Sequence, residues 1–147
     1  MIETTTYETT SVGQEIGPFV KTPTQITLFL FGVAMWTSHR IHYDRDHALS
    51  EGYRDVLVTA PIMVAYIEQM LVRFVGDPGA IRKIAARNHA QTHPGERLTA
   101  RGLVRERWVE DGAGMLRCDV WIEKDDGSTP VAGEAVLRLP LDGNPPR

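Results

Sequence analysis

Polar and apolar residues along this chain follow two different rhythms, and the change falls past the middle. From Thr22 the stretch "TPTQITLFLFGVAMWT" places Pro23 near its start, Thr24 as a candidate N-cap, and a long apolar run after it. That pattern predicts a helix, with an apolar run too long for an ordinary exposed face. Asp44 is positioned to cap a short second helix over 45–51, stopped by Gly52. A third helix is predicted over about 61–75, after Pro61. Its polar residues Glu68, Gln69 and Arg73 fall in one narrow sector, and the rest is apolar. A helix of that kind is wrapped by other structure on most sides.

The second half runs with period two. In "ERLTARGLVRERW", Leu98, Ala100, Gly102 and Val104 share one face, while Arg97, Thr99, Arg101 and Arg105 share the other. In "GMLRCDVWIE", Leu116, Cys118, Val120 and Ile122 alternate with Met115, Arg117, Asp119 and Trp121. In "VAGEAVLRL", Val131, Gly133, Ala135, Leu137 and Leu139 line one face. Asp111-Gly112 and Asp126-Gly127 supply turns between these strands, and a further strand over about 80–91 precedes Pro94-Gly95. Helices come first and an antiparallel meander follows. A curved antiparallel sheet wrapped round the third helix would cover its apolar surface, so the fold class is α+β.

Composition narrows the possibilities. At 147 residues, of which 42% are hydrophobic, the chain has the size of one domain (1–147) and can bury a core. The two ends, roughly 1–12 and 142–147, read as loose tails around an ordered core of about 12–141. A net charge of −3 argues against a general nucleic-acid binder. One cysteine, Cys118, rules out an intrachain disulfide framework and fits a reducing cytoplasm. The polar, Thr-rich start has no secretory pattern. The longest apolar stretch, Ala60 to Val75, is interrupted by Glu68, Gln69 and Arg73 and is shorter than the roughly 20 residues a membrane span needs. The sequence reads as a soluble, cytoplasmic protein.

Candidate chemistry concentrates in "WTSHRIHYDRDHALSEGY", residues 36–53, where His39, His42, Asp44 and His47 crowd together. Three readings are open. The first is a solvated loop, although its place between two strongly apolar segments puts it near the edge of the core. The second is a metal site, in which His39, His42 and Asp44 are joined by His89 and His93; imidazole and carboxylate suit zinc or iron, but no signature such as HExxH is present. The third is proton transfer. An imidazole titrates near pH 6.5 and can take and return a proton when held against a substrate. Such a site also needs backbone donors for a developing oxyanion. The amino end of the third helix, at Thr59, Ala60 and Pro61, offers them; Pro61 has no N–H, so Ala60 and Ile62 are the candidate donors.

"HRIHYDRDHALSEGYRDVLVTAPI" resembles the signature of MaoC-like hydratases and dehydratases of the hot-dog superfamily. In that group a segment of the kind D-x-N-P-I-H-x-D precedes a short helix, a Gly-aromatic pair and an H-G-M-L start to the central helix. The wording is nearest to type 2 hydroxyacyl-thioester dehydratases, and it also resembles small subunits of actinobacterial enoyl-CoA hydratases of steroid side-chain breakdown. "HPGERLTARGLVRE" looks like the family's P-G-D-x-L strand opening, and with the upstream "VGQEIGPFVKTPTQITLFLFGVA" the resemblance spans about residues 12–140.

The resemblance implies a single hot-dog fold and water added across a trans-2-enoyl thioester, or removed from the (R)-3-hydroxy compound, with neither metal nor redox cofactor. It implies His42 as the catalytic histidine, Asp44 shaping the loop, and Ala60 in place of the glycine whose N–H polarises the thioester carbonyl. Three positions depart from the pattern. Thr37 stands where the family's catalytic aspartate lies, His39 where its asparagine sits, and Thr59 where a histidine is usual. His39 then becomes the candidate for the missing titrating group. Arg87 and His93 fall near a candidate substrate-access segment. The implied substrate is an acyl-CoA or acyl-carrier-protein thioester. The implied assembly is a homodimer or a heteromer with a homologous hot-dog subunit. Three outcomes stay open: an altered hydratase using His42 and His39, a silent subunit beside an active partner, or a protein that binds acyl thioesters for another purpose.

Other features carry two readings each. The stripe of Arg97, Arg101, Arg105 and Arg107 either attracts a phosphorylated carrier or forms the wet face of a strand. Cys118 reads as a buried small hydrophobe and Trp36, Trp108 and Trp121 as packing residues. A thioesterase would ask for a carboxylate on or near the central helix, where Glu68 is the one acidic residue and lies on the polar sector.

Overall fold

The apolar third helix, α3 (Ala60–Val75), buries Ile62, Met63, Tyr66, Ile67, Met70, Leu71 and Val75, spaced three and four apart, and leaves Glu68, Gln69 and Arg73 exposed. Burying each large aliphatic side chain contributes about 1.5–3 kcal/mol, so this one face is a main source of stability. Gly76 ends the helix in the left-handed conformation, φ 77°, which a residue without Cβ adopts freely. The computed structural model describes residues 5–142.

Five strands cover α3: β1 (Glu15–Lys21), β2 (Ile81–Asn88), β3 (Leu98–Glu110), β4 (Ala113–Lys124) and β5 (Val131–Leu139). They form one antiparallel sheet in the order β1-β3-β4-β5-β2. The inward faces are those the alternation predicts: Leu98, Ala100 and Val104; Leu116, Cys118, Val120 and Ile122; Val131, Ala135, Leu137 and Leu139 are all buried. Gly17 on β1 and Gly102 on β3 lie where sheet and helix come close. At Gly17 a Cβ would lie 3.1 Å from Met70 of α3. Gly102 is nearly as tight. A Cβ there would lie 3.3 Å from Ile16 and 3.4 Å from Met70 of α3. A sheet wrapped round one apolar helix is the hot-dog architecture.

Three sequence expectations are corrected. First, Glu15–Lys21 is a strand, unforeseen because Gly17-Pro18 interrupts its alternation; an irregularity between Ile16 and Phe19 absorbs the break and pairing with β3 resumes. Second, α1 (Gln25–Ala34) is capped at Thr24 as predicted, but of its residues only Leu28 is buried. Ile26, Phe29, Leu30 and Val33 are exposed, because α1 packs chiefly against the turn at Arg40–His42 and is not enclosed by the sheet. Third, residues 5–12 are not loose. Tyr7 N–H donates to Pro140 O at 3.0 Å, Arg107 donates to Tyr7 O at 2.6 Å and lies over its ring, and Thr10 is buried. The rest of both tails, 1–4 and 143–147, lies outside the described residues. Among the described residues no helix is long and apolar enough to cross a membrane.

Candidate active site

The site begins where α1 ends. Trp36 N–H donates to Val33 O (3.3 Å) and Thr37 N–H to Gly32 O (2.8 Å), the paired bonds of a Schellman motif. Trp36 occupies the left-handed position, φ 54°, that glycine usually takes. This turn reverses the chain and brings Thr37 to the wall of a cleft. A 3-10 turn, Arg40–His42, follows, and Asp44 then caps α2 (Arg45–Ser50) by accepting His47 N–H at 3.0 Å. That amide, and after it the Arg40 guanidinium, hold the Asp44 carboxyl below the usual carboxylate range.

His42 is fixed by its own ring. Nδ1 lies 2.8 Å from Leu57 O. A carbonyl only accepts, so Nδ1 carries the proton and the neutral ring keeps its lone pair on Nε2. The same peptide unit is held from its other side, where Val58 N–H donates to Thr92 O at 2.8 Å. One residue back, Val56 O accepts from His93 Nδ1 at 2.9 Å, and Leu57 N–H donates to Ile41 O at 2.9 Å. The buried segment Val56–Val58 is thus clamped between the His42 turn and the Thr92–His93 segment.

The cleft has a volume of about 390 Å³. Thr37, Ile41 and His42 line one part of it, Leu57, Val58, Thr59, Ala60 and Pro61 another, and Asn88, Gln91 and Thr92 a third. The amino end of α3 therefore opens into it. Thr59 is the N-cap, and its hydroxyl and carbonyl both receive the Ile62 N–H, at 3.4 and 3.2 Å. Among the described residues the Ala60 N–H makes no hydrogen bond, as befits the first turn of a helix. Among the described residues lining the cleft, His42 carries the one imidazole. Thr92 stands out as well. It is 1% exposed, and its hydroxyl has no partner, a state that costs about 1–3 kcal/mol in a folded protein.

The residues singled out from sequence divide cleanly. His42, Thr37, Thr59 and Ala60 come together on the cleft wall. Ile62 does not serve as an oxyanion donor, because the Thr59 cap already takes its N–H. His39 is exposed; its ring centroid is 5.9 Å from that of His42, but it does not line the cleft. Asp44 acts as a helix cap and ion-pair partner, outside the cleft. His93 is buried and clamps Val56, and Arg87 is exposed on β2; neither lines the cleft. Among the described residues no group of three or more His, Cys, Asp or Glu is placed to hold a metal ion. Thr92, Asn88 and Gln91 were missed, the only signal being that they adjoin His89 and His93.

A sheet-wrapped helix whose amino end shares an apolar cleft with an imidazole is the frame of the hot-dog hydratases and dehydratases. The chain belongs to the hydroxyacyl-thioester dehydratase type 2 family, whose model matches residues 4–93, more than half of its length. Three solved structures share the fold. The R-hydratase PhaJ1 from Pseudomonas aeruginosa is 19% identical with a TM-score of 0.83, covering 97% of this chain and 94% of its own. The (R)-hydratase from A. caviae involved in PHA biosynthesis is 18% identical with a TM-score of 0.81, covering 90% and 99%. A chain of the ChsH1-ChsH2 complex from Mycobacterium tuberculosis is 20% identical with a TM-score of 0.76, covering 88% and 98%. No curated protein matches the chain.

Proposed function

We propose that this protein hydrates trans-2-enoyl thioesters, or dehydrates (R)-3-hydroxyacyl thioesters, on an acyl-CoA or acyl-carrier-protein carrier, as a homodimer or with a homologous hot-dog subunit. The observation that carries the reading is His42, with its proton fixed on Nδ1, on the same cleft wall as the unpaired Ala60 N–H. In the hydration direction Nε2 takes a proton from water as the water oxygen bonds to the β-carbon. The π pair moves toward the carbonyl, whose oxygen becomes the enolate oxyanion and accepts from Ala60 N–H. The imidazolium then returns its proton to the α-carbon, which closes the cycle with one molecule of water added. Thr37 and His39 carry no step in this scheme: a hydroxyl does not titrate in the working range, and His39 does not line the cleft.

Loss of the conjugated-thioester absorbance of crotonyl-CoA, followed with the purified protein, tests the reading. Hydration by this protein is expected, and His42→Ala should lower the rate at least about a hundredfold, the scale of general-base loss. A second reading, a silent subunit beside an active homologue, draws on the absence of any carboxylate among the residues lining the cleft. It is the correct one if only a mixture with such a homologue is active and His42→Ala in this chain leaves that mixture unchanged.

A further inference from the structure

We propose that the Thr92 hydroxyl is a ligand group of the cleft, the second donor to the thioester carbonyl beside the Ala60 N–H. The inference rests on the proposal that the cleft takes an acyl thioester, and it names a residue that neither the motif nor the fold comparison points to. A developing oxyanion needs more than one preorganised donor. Pro61 has no N–H and the Ile62 N–H is spent on the Thr59 cap, so α3 itself supplies only Ala60. Thr92 lies on the same cleft wall, and its backbone is moored to Val58, two residues ahead of Ala60. Its hydroxyl is sealed from solvent and unpaired. The inner part of the protein gives that hydroxyl nothing to bond, and a carbonyl oxygen arriving in the cleft would. One staggered step about χ1, about 120°, carries the hydroxyl to the place of the methyl and the methyl to that of the hydrogen, so the group can turn to a bound carbonyl without backbone movement.

The isosteric variant Thr92→Val separates this role from a structural one. A hydroxyl with no partner in the fold adds nothing to stability, so the variant should melt at or above the wild-type temperature. With butyryl-CoA carrying a labelled carbonyl, isotope-edited infrared spectra of the wild-type complex should show the thioester C=O band moved to lower frequency. Thr92→Val should lose much of that shift and Thr92→Ser should keep it. Where hydration is measurable, Thr92→Val should lower kcat about a hundredfold, the scale of losing one oxyanion donor, with KM nearly unchanged. A full band shift in Thr92→Val overturns the assignment and leaves the hydratase reading standing. A substantial drop in melting temperature, or failure of Thr92→Val to fold, also overturns it, because the hydroxyl then has a structural partner. A shift that Thr92→Val abolishes, in a protein that never hydrates crotonyl-CoA alone or with a homologue, supports the Thr92 assignment and ends the hydratase reading. An unshifted band in the wild type overturns both.

Discussion

Two residues with reactive side chains, His42 and Cys118, show how surroundings decide what a side chain can do. His42 bonds through Nδ1 to a backbone carbonyl and stands on a cleft wall. Cys118 points into the core from β4, where burial first and the Asp119 carboxylate second push its thiol up to about 12. At pH 8 only about one part in ten thousand of such a thiol is ionised, so it is a packing group. Iodoacetamide at that pH should leave the native protein unmodified and add once in urea, as intact mass will report. The histidine was legible in the sequence because imidazoles are uncommon and these are crowded. Thr92 was not, because a threonine's letter does not say whether its hydroxyl finds a partner; residues far along the chain decide that.

The elements α1 and β1 were the hardest to read. The run of α1 is apolar nearly all round, which ordinarily marks a buried helix. Its amino-terminal cap was readable, whereas its burial depended on what the rest of the fold left over to cover it. The same helix ends in a tryptophan 90% exposed and held at positive φ. A residue with a Cβ gives up about 1–2 kcal/mol in that conformation, and so little of the indole is covered that little packing opposes its removal. Trp36→Gly should therefore raise unfolding stability by about 0.5–1 kcal/mol in a urea titration, the gain trimmed by glycine's looser unfolded chain. The strand β1 was hidden by its own Gly17-Pro18, since two residues before a break and three after it fall below what periodicity can register.

At the scale of the whole molecule the sheet was the most legible part, because period two leaves no choice of face once one side is buried. The arginine stripe resolves on the same scale. Arg97, Arg101 and Arg105 pair with Asp125, Glu123 and Asp119, and Arg107 with Tyr7, so the stripe is a cross-strand network on the outer face. Exposed pairs of this kind contribute at most about 1 kcal/mol each. Strand β5 and the outer strand β2 come so close that a Cβ at Gly133 would fall 2.0 Å from Ala85 O. Gly133→Ala should cost at least about 2 kcal/mol, as overpacking does, and the loss should show as faster hydrogen exchange along β2 than along β3.

The amide joining Leu57 to Val58 has a consequence for how such a site can change. One plane accepts from His42 on its oxygen side and donates to the Thr92 carbonyl on its nitrogen side, so a tilt of that plane disturbs the hold on the His42 ring and on the Thr92 backbone at once. Neither can be adjusted alone by shifting the backbone that holds them. Divergence among descendants of this chain therefore has its freedom in residues that border the cleft without gripping that amide, such as Gln91 and Pro61, and has the least at the two positions that share it.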